Sequence, residues 1–210
     1  YMSMKVRYRR PRRRKQQSIT KKIISDVNKL KRSVSTGIET IQSTTQNLET
    51  AFNSTPIVTY IVPTGSGDKT RLKYFTLRGY IMQDTASTVS DTYRVDVVLD
   101  RQPAGVVVSV ANVYGSATPE FGDPQDQAGK SRYRILRSVI GGFDEAENGR
   151  SIKMIDLRVP LNLVATTKTE DSFAQANINR NGVYVIYWTK SAANQPVTKM
   201  QANIYTEDIS

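Results

Sequence analysis

From residue 53 onward, apolar side chains come in short runs separated by turn residues, and within the runs they alternate with polar ones. Val, Ile, Tyr and Thr dominate these runs, the composition of half-buried strands. Eight candidate strands follow: 56–62, 70–84, 91–100, 131–140, 151–165, 172–178, 182–190 and 198–208. Between them lie "PTGSGD", "RQPAG", "FGDPQDQAGK", "DEAENGR" and "AANQP", which carry turn and loop chemistry. Eight strands with no clear helix among them predict an all-β fold, an eight-stranded antiparallel jelly-roll sandwich; the longer loops have room for a short helix.

Residues 18–52 carry a different period. Ile23, Val27, Leu30, Val34, Ile38, Ile41, Leu48 and Phe52 are spaced mostly three and four apart, which predicts an amphipathic helical segment with Ser18 as its N-cap. Gly37 and the Ser/Thr content from Ser33 onward weaken its second half. The stripe is narrow, so the segment needs partner helices, such as copies from neighbouring subunits. Residues 1–17 show neither period. The chain therefore divides into a basic arm (1–17), a helical segment or linker (18–52) and a β body (53–210).

Charge sharpens this division. The 210 residues hold 30 Lys+Arg and 19 Asp+Glu, a formal charge of +11. Residues 1–33 contain 13 of the basic residues and one acid, Asp26, a balance of +12. The remainder, residues 34–210, has 30 − 13 = 17 basic and 19 − 1 = 18 acidic residues, a balance of −1, so the body is near-neutral. Arginine forks suit phosphate oxygens, and such contacts are independent of base sequence. Lys5, Arg7, Arg9, Arg10, Arg12, Arg13, Arg14, Lys15, Lys21, Lys22, Lys29, Lys31 and Arg32 are the expected nucleic-acid contacts, with Tyr8 placed to stack on a base. The same residues can be read first by a nuclear import receptor. An acidic membrane surface is the weaker alternative, because the arm has no apolar face.

Absences narrow the chemistry. The chain has no His and no Cys. That removes the Ser-His-Asp triad, imidazole general bases, thiolate nucleophiles, disulfides and the common zinc sites. No run reaches the about 18 apolar residues of a membrane-spanning helix, and no signal-peptide apolar region opens the chain, so a soluble protein made inside the cell and without membrane insertion is expected. Asp96 and Asp100 lie four apart on a strand, with Asp91 nearby, and paired carboxylates can hold Mg²⁺ for a nuclease. The favoured alternative is a solvent-facing strand edge, with Asp100 opening a turn. Asp144, Glu145 and Glu147 are taken as exposed loop acids rather than a Ca²⁺ site. "GSGDK" (65–69) lacks the spacing of a phosphate loop, and Asn53-Ser54-Thr55 is a chance glycosylation sequon. No enzyme, metal or cofactor is called for. Arg132 and Arg134 are placed on one strand face, Tyr133 and Ile135 on the other; whether the arginines line an anion or pair with acids stays open. Trp188 is expected to pack in the core or at a subunit contact.

"TYRVDVVLDRQPAG" (92–105), "SRYRILRS" (131–138), "GRSIKMIDLRVPLN" (149–162) and "GVYVIYWTK" (182–190) resemble, in that order, segments of capsid proteins of small circular Rep-encoding single-stranded DNA viruses. Plant satellite virus and geminivirus-like jelly rolls are further relatives. The most specific stretch is a buried strand ending in Asp100, Arg101, Gln102 and Pro103. The resemblance covers about residues 56–208 plus the arm. It implies an Arg-rich arm before an eight-stranded jelly roll, no enzyme, and a T=1 icosahedral shell of about 60 copies of the chain with arms inward. It also implies packaging of single-stranded DNA, assembly in the host nucleus, and partners in an import receptor and a cell receptor. Residues 18–52 depart from many relatives and are expected to bundle beneath the three-fold axes. About 60 arms at +12 would bring about 700 positive charges inside, the scale of a very small genome's phosphates.

Overall fold

The computed structural model describes residues 42–65, 67–84, 91–123, 125–143, 151–168, 172–190, 192 and 194–209. Nine strands carry the fold: β1 (Gln42–Ala51), β2 (Ile57–Ile61), β3 (Lys69–Met82), β4 (Asp91–Asp100), β5 (Tyr133–Phe143), β6 (Ile152–Thr167), β7 (Ile178–Arg180), β8 (Gly182–Thr189) and β9 (Val197–Asp208). They form two antiparallel sheets, ordered β1-β9-β3-β6-β7 and β2-β8-β4-β5, that make a β-sandwich. Pairing is nested: β1 with β9, β2 with β8, β3 with β6 and β4 with β5. The β9–β3 and β8–β4 ladders join these pairs. Between β4 and β5 lie a short helix, α1 (Val110–Tyr114), and a 3₁₀ turn, Ala128–Ser131.

Two expectations are corrected here. Residues 42–51 are a strand, not the end of a helix; 18–41 lie outside the described residues. Gln42, Thr44 and Gln46 are half-buried and Leu48 is buried, while Ser43, Thr45 and Asn47 are exposed, a period of two. Polar groups at the inward positions hid that alternation. A ladder with β9 along all ten residues offers this Ser/Thr-rich stretch what a helix would not. The second correction is 172–178, which is strand only from Ile178. Ala174 O accepts from both Asn177 N (2.9 Å) and Ile178 N (3.2 Å), closing a turn.

β4 and β8 are central in their sheet and buried along their whole length. By register, Tyr93, Val95, Val97 and Leu99 share a face with Thr189, Tyr187, Val185 and Val183. That face meets the other sheet: Phe52, just past β1, packs edge-on against Tyr187 (5.2 Å) and Tyr93 (6.4 Å). Leu72, Phe75, Leu77 and Ile81 of β3, with Met200, Ala202 and Ile204 of β9, supply the opposing layer. Burial of such side chains contributes about 1.5–3 kcal/mol for each large one. Gly79 sits between β6 and β9 at φ +149°; a Cβ there would land on the Lys199 carbonyl oxygen and 2.7 Å from Met200 Cα, so glycine is required.

The opposite face of the four-stranded sheet is covered too. Tyr114 of α1 and Phe121 pack on Trp188 at 5.5 and 5.8 Å. The Tyr60 hydroxyl donates to Phe173 O in the β6–β7 connection at 3.0 Å. This second cover explains why β4 and β8 lack the exposed half of an ordinary sandwich strand. Solvent meets the outer face of the five-stranded sheet, where Arg71 and Lys73 hold Glu207 and Arg78 holds Asp156.

Candidate nucleic-acid interface

Every arm residue assigned to nucleic acid, from Lys5 to Arg32, lies outside the described residues. What is described is where the arm joins the body. Gln42 pairs with Thr206, Thr206 with Leu72, and Leu72 with Leu163, so all four share one transverse row of the five-stranded sheet.

The carboxylates of β4 are not at a solvent-facing edge. Asp96 and Asp100 are fully buried, because the 101–132 connection folds back over this side of the sheet. Arg94 Nε lies 3.2 and 3.0 Å from the two Asp96 oxygens, and its Nη2 is 2.9 Å from Oδ2. The hydroxyls of Tyr114 and Ser138 donate to Oδ2 and Oδ1, each at 2.5 Å. Arg94 also donates through Nη1 to Phe121 O (2.8 Å) and Asp123 O (2.9 Å), and lies 5.2 Å from both the Tyr114 and Trp188 ring centres. A charge this deep is tolerable only with such a full set of partners. The group pins the connection to β4. Arg94 and Asp96 share a face of one strand, two residues apart in an apolar run, the one sequence signal that could have revealed the pair.

Asp100 does open a turn, accepting from Gln102 N at 3.0 Å. It also takes both prongs of Arg132, Nε to Oδ1 and Nη2 to Oδ2, each at 2.9 Å. That pair of bonds raises the Arg132 pKa. Asp96 and Asp100 are thus both enclosed and bound to arginine, and the third β4 carboxylate, Asp91, is buried and accepts from the Thr189 hydroxyl. Among the described residues no group of three or more acids is placed to hold a metal. Asp144, Glu145 and Glu147 lie outside those residues. Trp188 is core packing, as expected.

Burial has a titration consequence. Tyr60, Tyr114 and Tyr184 all have raised pKa values, first through desolvation, then through the neighbouring charges of Tyr184, Asp96 and Asp100 respectively. Above pH ~10 the unfolded chain releases these protons while the folded body retains them, so stability declines with rising pH. Each tyrosine contributes about 1.4 kcal/mol of loss per pH unit until its folded pKa is reached. We expect tyrosinate absorbance of these residues to appear together with alkaline unfolding; stepwise ionisation of an intact fold would contradict this.

Arg132 and Arg134 part company. Arg132 precedes the strand and turns to Asp100, whereas Arg134, registered opposite Leu99, lines an open cleft of about 880 Å³ between β4–β5 and β6–β7. Arg101 and Arg180 line the same cleft, and sequence reasoning singled out neither for a site. All three side chains belong to exposed residues.

No family model matches the chain, and no curated protein matches it. Among solved structures, that titled Desmodium yellow mottle tymovirus shares 13% identity over 81% of this chain and 89% of that one, at a TM-score of 0.31. The 60-mer BFDV capsid protein shares 9% over 79% and 91%, TM-score 0.31. The STIV MCP shares 10% over 80% of this chain, TM-score 0.31, and this chain spans about half of its length (49%).

Proposed function

We propose that the chain is a viral coat protein: a jelly-roll body that self-assembles into a closed shell and gathers single-stranded nucleic acid through its N-terminal arm. The observation that carries this is the joining of a +12 segment, residues 1–33, to a near-neutral body whose strands pair as a doubled ribbon. With the three-residue β7 set aside, the eight longer strands fall in the orders 1-8-3-6 and 2-7-4-5, the jelly-roll arrangement. The open side of the sandwich supports copy-to-copy contact. There β5 is an unpaired edge, and β7 covers β6 only at Thr166 and Thr167. Ile140, Ile152 and Met154 are exposed on these two strands, at 53%, 53% and 75%. A near-neutral body suits close packing of many copies, since strongly like-charged ones repel.

The genome is taken to be single-stranded DNA on the strength of the segment resemblance, with a T=1 shell of about 60 copies, nuclear import through the arm and assembly in the host nucleus. Sedimentation velocity of the purified chain, read at the nucleic-acid and protein absorbance maxima with and without nuclease, tests the proposal. We expect a fast, homogeneous boundary above a megadalton carrying nuclease-resistant nucleic acid. A slow boundary of monomers or trimers that binds nucleic acid would make the chain a non-viral nucleic-acid-binding jelly roll instead.

A further inference from the structure

Resting on the coat-protein reading, we propose that the cleft between β4–β5 and β6–β7 is a second backbone site, where Arg101, Arg134 and Arg180 hold phosphates of the single strand that the arm gathers. Three observations converge on it. First, among the described residues the cleft is cationic without compensation. Arg71, Arg78, Arg94 and Arg132 each hold a carboxylate. Among the described residues no carboxylate lies within ion-pair distance of Arg101, Arg134 or Arg180, and no acid lines the cleft. Arg101 makes one long bond, to Ser131 O at 3.4 Å. Guanidinium forks left open in a concave wall are matched by phosphate oxygens.

Second, the lining suits a nucleic-acid strand of any sequence. Leu99, Leu161 and Leu163 give apolar wall for sugar and base edges, while among the described residues no aromatic side chain lines the cleft to select by stacking. Third, the place is right. Leu163 lies in the same transverse row as Gln42, three strand spacings away, or about 14 Å. Arg180 pairs with Thr166 at that same end of the sheet. Gln42, the first described residue, therefore lies at the end of the body where the cleft opens.

Salt dependence separates the two sites, because the slope of log affinity against log salt counts neutralised phosphates, at about 0.7 each for single strands. Binding of a labelled oligo(dT) to the full chain is measured across a salt series. For the triple variant Arg101→Gln/Arg134→Gln/Arg180→Gln we expect the slope to fall by about 2, from three contacts at about 0.7 each. A variant with all thirteen basic residues of 1–33 neutralised should retain a slope of about 2. Lysine at the same three positions should restore the wild-type slope; a lysine variant that does not restore it overturns the proposal. So does an unchanged slope in the glutamine variant. If that variant alters particle size instead, the cleft is a contact between copies. Should the wild-type chain bind no oligonucleotide, the coat-protein reading fails as well. If the wild type binds and only the arm variant loses slope, the cleft alone is refuted.

Discussion

Replacing Asp96 with alanine is expected to destabilise the body by about 3–5 kcal/mol, a large share of the about 5–15 kcal/mol that holds a typical fold together. The substitution strands the Arg94 guanidinium in a site closed by Tyr114, Phe121 and Trp188, and unpartners the hydroxyls of Tyr114 and Ser138. Arg94→Ala should cost a similar amount for the mirror reason, leaving a buried carboxylate with only two hydroxyl donors. The double replacement by leucines, Arg94→Leu/Asp96→Leu, should be less damaging than either alanine variant, because both charges go together. Trp188 is the sole tryptophan and lies against Arg94, so urea unfolding followed by its fluorescence reads this site directly. A loss below about 1 kcal/mol in Asp96→Ala would show that the 101–132 connection is pinned by its apolar contacts alone.

Neutralising Arg7, Arg9, Arg10, Arg12, Arg13, Arg14 and Lys15 should act on the other half of the molecule and spare the fold. Seven charges lost should lower the salt slope for single strands by about 5. On the coat-protein reading, particles should still assemble through the β body but should sediment as empty shells with a protein-like absorbance ratio. Variants that still package full-length nucleic acid would refute the arm's role. Variants that no longer assemble would show that the shell needs its cargo to close.

How much of this was legible in the chain depended on whether the relevant contact was local. β4 and β8 were readable because dense Val, Ile and Tyr runs bounded by turn residues have few other uses. Their full burial was not, since it comes from a cover that returns to β4 across the 101–132 connection. For the same reason Asp96 looked like a solvated strand acid, although Arg94 stood two residues away on the same face. β1 was misread because Leu48 and Phe52 are four apart, a helical step, while the residues sharing the inward face with Leu48 are Gln and Thr. Its partner, β9, is at the far end of the sequence. The cleft was half visible: Arg134 was noticed, yet only the meeting of two sheets brings Arg101 and Arg180 beside it.

The pairing of the first strand with the last also sets an order in time. Gln42 reaches its register partner Thr206 across 164 residues, so the five-stranded sheet cannot be completed until residue 206 has been made. At about 5–20 residues per second, those 164 residues take about 8–33 s. Through that interval the basic segment is already made while the body is still unfinished. A nascent chain of this design presents its charged segment before its folded body.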